Sequence, residues 1–233
     1  MPPKKTPRPA ARRSPRQQRA HDTVSIILEA AQQILRQHGL AGFNTNRIAE
    51  RAGVGIGSLY GYFPNKQSIL LALARRLLAA DGQAFLAALD DVHAAPADPV
   101  RRLVRVLLER HRHEPQVRQV LLGAYMGAGL AGDDARQVGL LADAVAAHPQ
   151  GPLATQPLGP VQFFVVTRAV LGVARALTEA PGEPPLPAQL LEDEAVRLVK
   201  AYLLAVSSTG AETTPAASSR NKVSSSARMP SVP

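Results

Sequence analysis

Between Asn44 and Lys66 the chain reads NTNRIAERAGVGIGSLYGYFPNK, and the turn at its centre, Ala52-Gly53-Val54-Gly55, constrains the fold more than any other feature. Two short helical patterns flank that turn. Ile48, Ala49 and Ala52 form the inner face of the first, and Leu59 and Phe63 that of the second. Asn44 suits the N-cap of the first helix, accepting from backbone N–H groups two or three residues on. Gly53 supplies the left-handed residue that ends it, and Val54 plugs the corner. Two helices joined so tightly make a helix-turn-helix, a unit whose second helix fits the major groove of DNA.

The rest of the chain also reads as helix. Ile27, Ala30, Ala31, Ile34 and Leu35 recur at helical spacing and predict an element starting near Asp22 or Thr23, closed by Gly39 at C′ with Leu40 behind it. Ile69, Leu70, Leu73, Leu77, Leu78, Phe85 and Leu89 predict one long helix from about Asn65 to Asp90. Asp98 and Pro99 cap and open the next, and Glu114-Pro115 breaks it. Further helical runs cover 117–130, a segment from Asp133 or Asp134 through Val145, then 161–178 and 190–206. Proline and glycine place 148–160 and 181–187 in loops. The expectation is an all-α protein in four segments. Residues 1–20 form a disordered basic arm, 21–66 the helix-turn-helix domain, 67–206 a second helical domain, and 207–233 a disordered Ser/Pro-rich tail.

Charge is informative once localised. The net +9 of the 233 residues comes from the ends: residues 1–20 carry +7 without an acid, residues 207–233 carry +2, and the middle sums to zero. A basic arm of this kind suits a polyanion such as nucleic acid, although a solvated tail with no specific role has the same composition. The composition, 45% apolar with 4% aromatic residues, favours helices, and the absence of cysteine excludes disulfides and thiolate metal sites. No apolar run approaches the ~18 residues of a membrane helix, and the basic start lacks the apolar core of a secretory signal. The expected location is the cytoplasm.

A groove-reading helix needs small or polar residues facing the bases and phosphate donors at its flanks. Gly57 and Ser58 permit close approach, Tyr60 and Tyr62 offer hydroxyls, and Ile56 shares their outer face. Lys66 opens the following helix, where its charge and the local N–H groups can hold one phosphate. Asn44, Thr45 and Asn46 sit at the start of the supporting helix. Thr45, Asn46, Gly57, Ser58, Tyr60, Tyr62 and Lys66 are candidate DNA contacts by this chemistry.

Taken together, Ile27-Leu28, Ala30-Ala31, Gly39, Phe43, Ile48-Ala49, Ala52-Gly53-Val54, Gly57, Leu59-Tyr60, Tyr62-Phe63, Lys66 and Leu70 resemble the N-terminal domain of the TetR/AcrR family of bacterial one-component regulators. The resemblance implies a three-helix DNA-binding domain, a fourth helix linking it to a helical effector domain, and a homodimer formed by the last two long helices. It also implies a repressor that binds a palindromic operator and is released by a small-molecule effector held among the middle helices. Carried over by position, it makes Asn44, Thr45, Asn46, Ile56, Gly57, Ser58, Tyr60, Tyr62 and Lys66 the nine expected DNA contacts. Gly55 departs from the family's usual Ser or Thr, which removes a side-chain cap. Gly61 lowers the helix propensity of the reading helix by about 1 kcal/mol relative to Ala.

In the second domain, Phe164, Val170, Leu171, Leu198 and Tyr202 are the candidate dimer residues, with a monomer that closes its own core as the alternative. Phe85, His111, Tyr125 and Met126 are the candidate effector contacts. No charged pair stands out, which favours a neutral or weakly polar hydrophobic effector. The basic run Arg110-His111-Arg112-His113 reads as complementing a helix C-terminus, with contact to an acidic ligand as the alternative, and His111 and His113, two residues apart, face different sides and make a poor metal pair. No cofactor, metal site or nucleophile–base pair is expected, so an enzyme is the weaker alternative. A sequence-tolerant architectural DNA binder driven by the basic arm is the other.

Overall fold

The structure, a computed structural model, describes residues 15–92, 98–129, 139, 143, 158–179 and 187–210. Among these residues every regular element is helical: α1 (Pro15–Gly42), α2 (Thr45–Ala52), α3 (Ile56–Tyr62), α4 (Lys66–Val92), α5 (Pro99–Arg112), α6 (Pro115–Gly127), α7 (Pro160–Glu179) and α8 (Ala188–Gly210). The first fourteen residues of the expected arm, nearly all of the helix expected from Asp133 to Val145, most of both Pro-rich loops and the tail after Gly210 lie outside the described residues.

The chain stops are largely those written in the residues. Asn44 accepts the Arg47 N–H at 2.9 Å, and Gly53 ends α2 at φ 64°. Asp98 accepts the Arg101 N–H at 3.1 Å ahead of Pro99. Asn65 caps α4 by accepting the Ser68 N–H at 2.9 Å, while the Ser68 hydroxyl donates back to the Asn65 carbonyl at 2.6 Å.

Several boundaries differ from expectation. Helix α1 begins at Pro15, seven residues before Asp22. Proline is tolerated in a first helical turn because its missing N–H has no partner there. The new turns are tied by Gln18 to Asp22 (3.0 Å) and by the Thr23 hydroxyl to the Arg19 carbonyl (2.9 Å). Arg16 and Arg19 therefore stand on a helix rather than in an extended arm. The same proline logic starts α7 at Pro160, which composition alone puts in a loop, and α8 continues to Gly210, past the expected end at 206. Gly39 has the expected positive φ (60°), but helix resumes beyond it to Gly42. Leu40 is left exposed rather than folded back.

Three apolar clusters organise the packing. The first joins Ile27, Ala31 and Ile34 of α1, Phe43, Ile48 of α2, Leu59 of α3 and Ile69, Leu70, Leu73 and Ala74 of α4. It also takes in Leu121 and Tyr125 of α6. The second joins α5, α7 and α8 through Val104, Leu108, Val170, Ala174, Val196 and Leu203. The third, Phe85, Leu89 and Leu103, ties α4 to α5. A clamp of charges fixes α8 on α5: the nearly buried Glu192 accepts from Arg101 (3.0 Å) and Arg105 (2.8 and 3.0 Å), and Lys200 pairs with Asp98 at 2.7 Å. The Arg105 hydrogen bond leads in holding the Glu192 carboxyl below the usual carboxylate range.

Candidate nucleic-acid interface

Helix α3 is seven residues long and buries one of them fully, Leu59. That single anchor, seated with Ile48 and Phe43, fixes the helix by its inner side, and Phe63 secures its end. The remaining face is open. Ile56, Tyr60 and Tyr62 are each at least 40% exposed, and Gly57 and Ser58 stand beside them. So short a helix showing three large side chains to solvent has a surface shaped for something other than its own core.

The structure brings eight of the nine expected contact residues to α2, α3 and their caps, and places the ninth, Lys66, at the start of α4. Thr45 and Tyr60, fifteen residues apart in sequence, meet with their hydroxyl oxygens 3.1 Å apart. This bond cross-braces the reading helix against the supporting helix, and the Tyr60 hydroxyl that the sequence casts only as a phosphate ligand is also a brace. The Asn44 side-chain oxygen is engaged as the N-cap. Asn46 is exposed, and Lys66, the first residue of α4, is exposed with the helix N-terminus behind it. Gly55 is the N-cap of α3 and makes no side-chain cap bond, as the residue type dictates, so the first N–H groups of α3 remain open.

Charge adds to this face. Residues 51–80 contain no Asp or Glu but carry Arg51, Lys66, Arg75 and Arg76. Arg47 is exposed at the start of α2, while Arg51 is drawn to Gln33 of α1 at 3.1 Å. The exposed Arg47 therefore adds to the positive charge of the motif beside Lys66. The gap in acidic residues is visible in the sequence, but a whole-segment charge sum hides it.

Away from this face, a cavity of about 480 Å³ opens between α4, α5, α6 and α7. Phe85 and His111 line it as expected. Tyr125 and Met126 do not: Tyr125 is buried in the first apolar cluster, and Met126 is exposed on the outside of α6. The helical phase of α6 turns Leu122, not its neighbours in the expected set, toward the cavity. The wall is also charged where the sequence shows no evident pair. Asp81 of α4 accepts from Arg118 of α6 (2.6 and 3.1 Å) and from Arg110 of α5 (2.8 Å). The Asp81 and Arg118 side chains are largely buried, and Arg168 and Arg175 of α7 line the same space. These partners lie 29 and 37 residues apart, beyond any local pattern. His111 is buried at the C-terminal end of α5, with Nδ1 donating to the Leu107 carbonyl at 2.9 Å. Burial, reinforced by the nearby Arg118 and Arg175, holds its pKa below the ordinary value and outweighs the Leu107 bond and Asp81, which raise it.

The expected dimer residues divide. Phe164 and Leu198 are about half exposed and Tyr202 is intermediate. Val170 is buried in the chain's own second cluster, and Leu171 lines the cavity, so neither stands on a free face. Val161 and Val165 on α7 and Leu190 and Leu204 on α8 are exposed instead. An almost uniformly apolar α7 conceals in sequence which stripe faces outward.

Among the described residues no group of three His, Cys, Asp or Glu side chains has the arrangement of a metal site, and no helix is long and apolar enough to cross a membrane.

Residues 27–73, the segment that holds α2, α3, most of α1 and the start of α4, match the family model of bacterial regulatory proteins, tetR family. Over this segment the chain is similar to the tetR family. It is 29% identical over 107 residues to the HTH-type transcriptional regulator EthR of Mycolicibacterium smegmatis, a match covering 46% of this chain and 49% of EthR. It is 35% identical over 92 residues to the HTH-type transcriptional regulator RutR of Escherichia coli, covering 39% of this chain and 42% of RutR. The chain thus spans about half the length of the curated relatives it matches, or less. The fold likeness to solved tetR-family structures is longer. A TetR-family transcriptional regulator from Streptomyces coelicolor superposes with a TM-score of 0.56 at 21% identity, covering 79% of this chain and 99% of that structure.

Proposed function

We propose that this chain is a DNA-binding transcriptional regulator that reads an operator with α3 and changes its hold on DNA when a small molecule fills the cavity between α4 and α7. The observation that carries the reading is the outer face of α3. Ile56, Gly57, Ser58, Tyr60 and Tyr62 are exposed together on a helix anchored by Leu59, with Lys66 at the start of α4 beside them. Small residues allow the backbone to approach base edges, while Tyr62, Lys66, Thr45, Asn46 and the α4 N-terminus supply phosphate donors. Asn44 contributes chiefly by capping α2.

The reading extends to a homodimer that represses from a palindromic operator. The exposed stripes Val161–Phe164–Val165 on α7 and Leu190–Leu198–Leu204 on α8 support it, because large apolar side chains at helical spacing on adjacent helices favour a partner over water. A two-fold pair would set two α3 helices about one DNA turn (~34 Å) apart. The boundary between the parts falls within α4, whose first half to Ala74 belongs to the cluster around α2 and α3. The basic residues ahead of α1 add phosphate contacts.

An unbiased selection from random duplexes tests the reading. A palindromic consensus bound by two chains is expected, and Lys66→Ala lowers affinity for it with the melting curve unchanged. Equal affinity for random and selected duplexes at fixed salt would sink the regulator in favour of an architectural DNA binder.

A further inference from the structure

We propose that the cavity between α4, α5, α6 and α7 takes an amphipathic organic acid, its carboxylate held by Arg110 and its alkyl chain directed past Phe85 and Leu107. The proposal deepens the effector reading above and rests on it.

Charge counting comes first. Asp81 is one carboxylate shared by two guanidinium groups, Arg110 and Arg118. It spends both oxygens on Arg118 and accepts only the Nε of Arg110. Among the described residues the Nη groups of Arg110 make no hydrogen bond, and Arg110 lines the cavity. Among the same residues the buried Nε of Arg118 also lacks a partner. The triad therefore leaves a surplus positive charge at a partly dehydrated wall, where an unbalanced charge is costly. A carboxylate removes that cost, and the planar fork of arginine is matched to it. Arg168 and Arg175, on helix α7, line the same space. An ammonium ligand meets the surplus as a like charge, and a neutral alcohol leaves it unanswered.

The opposite wall argues for the tail. Leu78, Leu86, Leu122 and Leu171 line the main cavity. A smaller apolar space of about 60 Å³, bounded by Leu103, Val104, Phe163 and Val170, adjoins it. Phe85, Leu107 and Thr167 line both spaces, so the two meet at these side chains. A head group at Arg110 leaves an alkyl chain with apolar side chains along its length and the smaller apolar space next to its end. The main volume lies within the range of roughly 300–1,000 Å³ for small-molecule sites.

Isothermal titration of the full chain with octanoate, octan-1-ol and octylamine, which share a tail and differ in head, decides the matter. Octanoate is expected to bind at least tenfold more tightly than either of the others. Arg110→Gln should cost octanoate at least tenfold while leaving octan-1-ol within twofold. Arg110→Lys, which keeps the charge and loses the fork, should fall between, and it is the variant to read if thermal melting shows Arg110→Gln to be unfolded. Octan-1-ol or octylamine binding as tightly as octanoate, no octanoate binding at millimolar concentration, or indifference to Arg110 would each overturn the proposal. Anisotropy of a labelled operator separates it from the reading beneath it. Octanoate held through Arg110 with DNA affinity unchanged would confirm the acid site and refute its role as an effector site.

Discussion

Two of the seven residues of α3 are glycines, and nothing inside the protein asks for either. A Cβ built on Gly57 or Gly61 meets no atom within 4 Å, and neither residue has a positive φ. Each glycine costs a helix about 0.5–1 kcal/mol relative to alanine. Gly61→Ala should therefore stabilise the fold by about 0.5–1 kcal/mol, raising the melting midpoint by about 1–4 °C for a chain of this size. Because α3 is then better ordered before DNA arrives, operator affinity should hold or rise by up to about fivefold. Gly57→Ala should bring the same gain in stability with the opposite effect on DNA. On the proposed function its methyl group lies on the face where the helix would near the bases, and forced contact there costs about 1–3 kcal/mol, roughly five- to 150-fold in affinity. Thermal circular dichroism and fluorescence anisotropy on a selected operator, at one salt concentration, measure both quantities. If Gly57→Ala stabilises the protein and binds DNA as well as the parent, α3 does not approach the duplex along Gly57. If either substitution lowers the midpoint, the open space around these glycines is not as described.

Lys66→Ala should weaken binding to all duplexes alike and reduce the slope of log affinity against log salt by about 1, as followed by anisotropy from 50 to 200 mM salt. Tyr60→Phe removes the 3.1 Å bond to Thr45; it should cost the fold about 0.5–1.5 kcal/mol and weaken operator binding more than random-duplex binding. Leu59→Ala, at the only fully buried position of α3, should destabilise by about 2–5 kcal/mol in denaturant titration and abolish operator recognition. Burial holds the folded pKa of His111 below the ordinary 6.5, so the unfolded chain binds the proton more tightly. Its contribution is complete above about pH 6.5 and fades as pH falls through the window below that value. Melting midpoints compared between pH 7.5 and 5.5 should drop less in His111→Gln than in the parent.

The parts of the fold that sequence reveals are those set by neighbours along the chain. Asn44, Gly53, Asp98 and Pro99 act within a few residues of themselves, and each stands where its chemistry predicts. The buried side of α2 and α3 follows from the spacing of Ile48, Ala49 and Leu59. The start of α1 is missed because a proline among basic residues reads as a breaker, although at a first turn it obstructs nothing. The charged wall of the cavity is missed for a different reason. Asp81, Arg110 and Arg118 come together only once three helices pack, and each alone reads as a solvated charge. Val170 and Leu171 show the limit of composition in an apolar helix, since adjacent residues serve the core and the cavity while the exposed stripe falls on Val161, Phe164 and Val165.

Helix α6 holds the physical link between the two sites. Leu121 and Tyr125 pack into the cluster that seats α2 and α3, while Leu122 lines the cavity and Arg118 is bound to Asp81 of α4. Leu121 and Leu122 are consecutive, so a rotation or shift that accommodates a ligand at one necessarily displaces the other. Helix α4 is held in the same way, with Ile69 to Ala74 in the first cluster and Leu78 to Leu86 along the cavity. The turn ahead of α6 is fastened to α1 by Arg36 and Glu114 at 2.5 Å, with Glu114 in a left-handed conformation at φ 52° that a non-glycine residue adopts only under constraint. A ligand that draws Arg110 away from Asp81 changes the load on Arg118, and so on α6, before it moves any residue of α3. Close packing transmits such a shift rather than absorbing it. The coupling therefore requires no contact between ligand and reading helix, only that Leu121 and Tyr125 remain rigidly seated. Trimming Tyr125 should weaken the coupling of ligand to DNA more than it weakens either binding event alone.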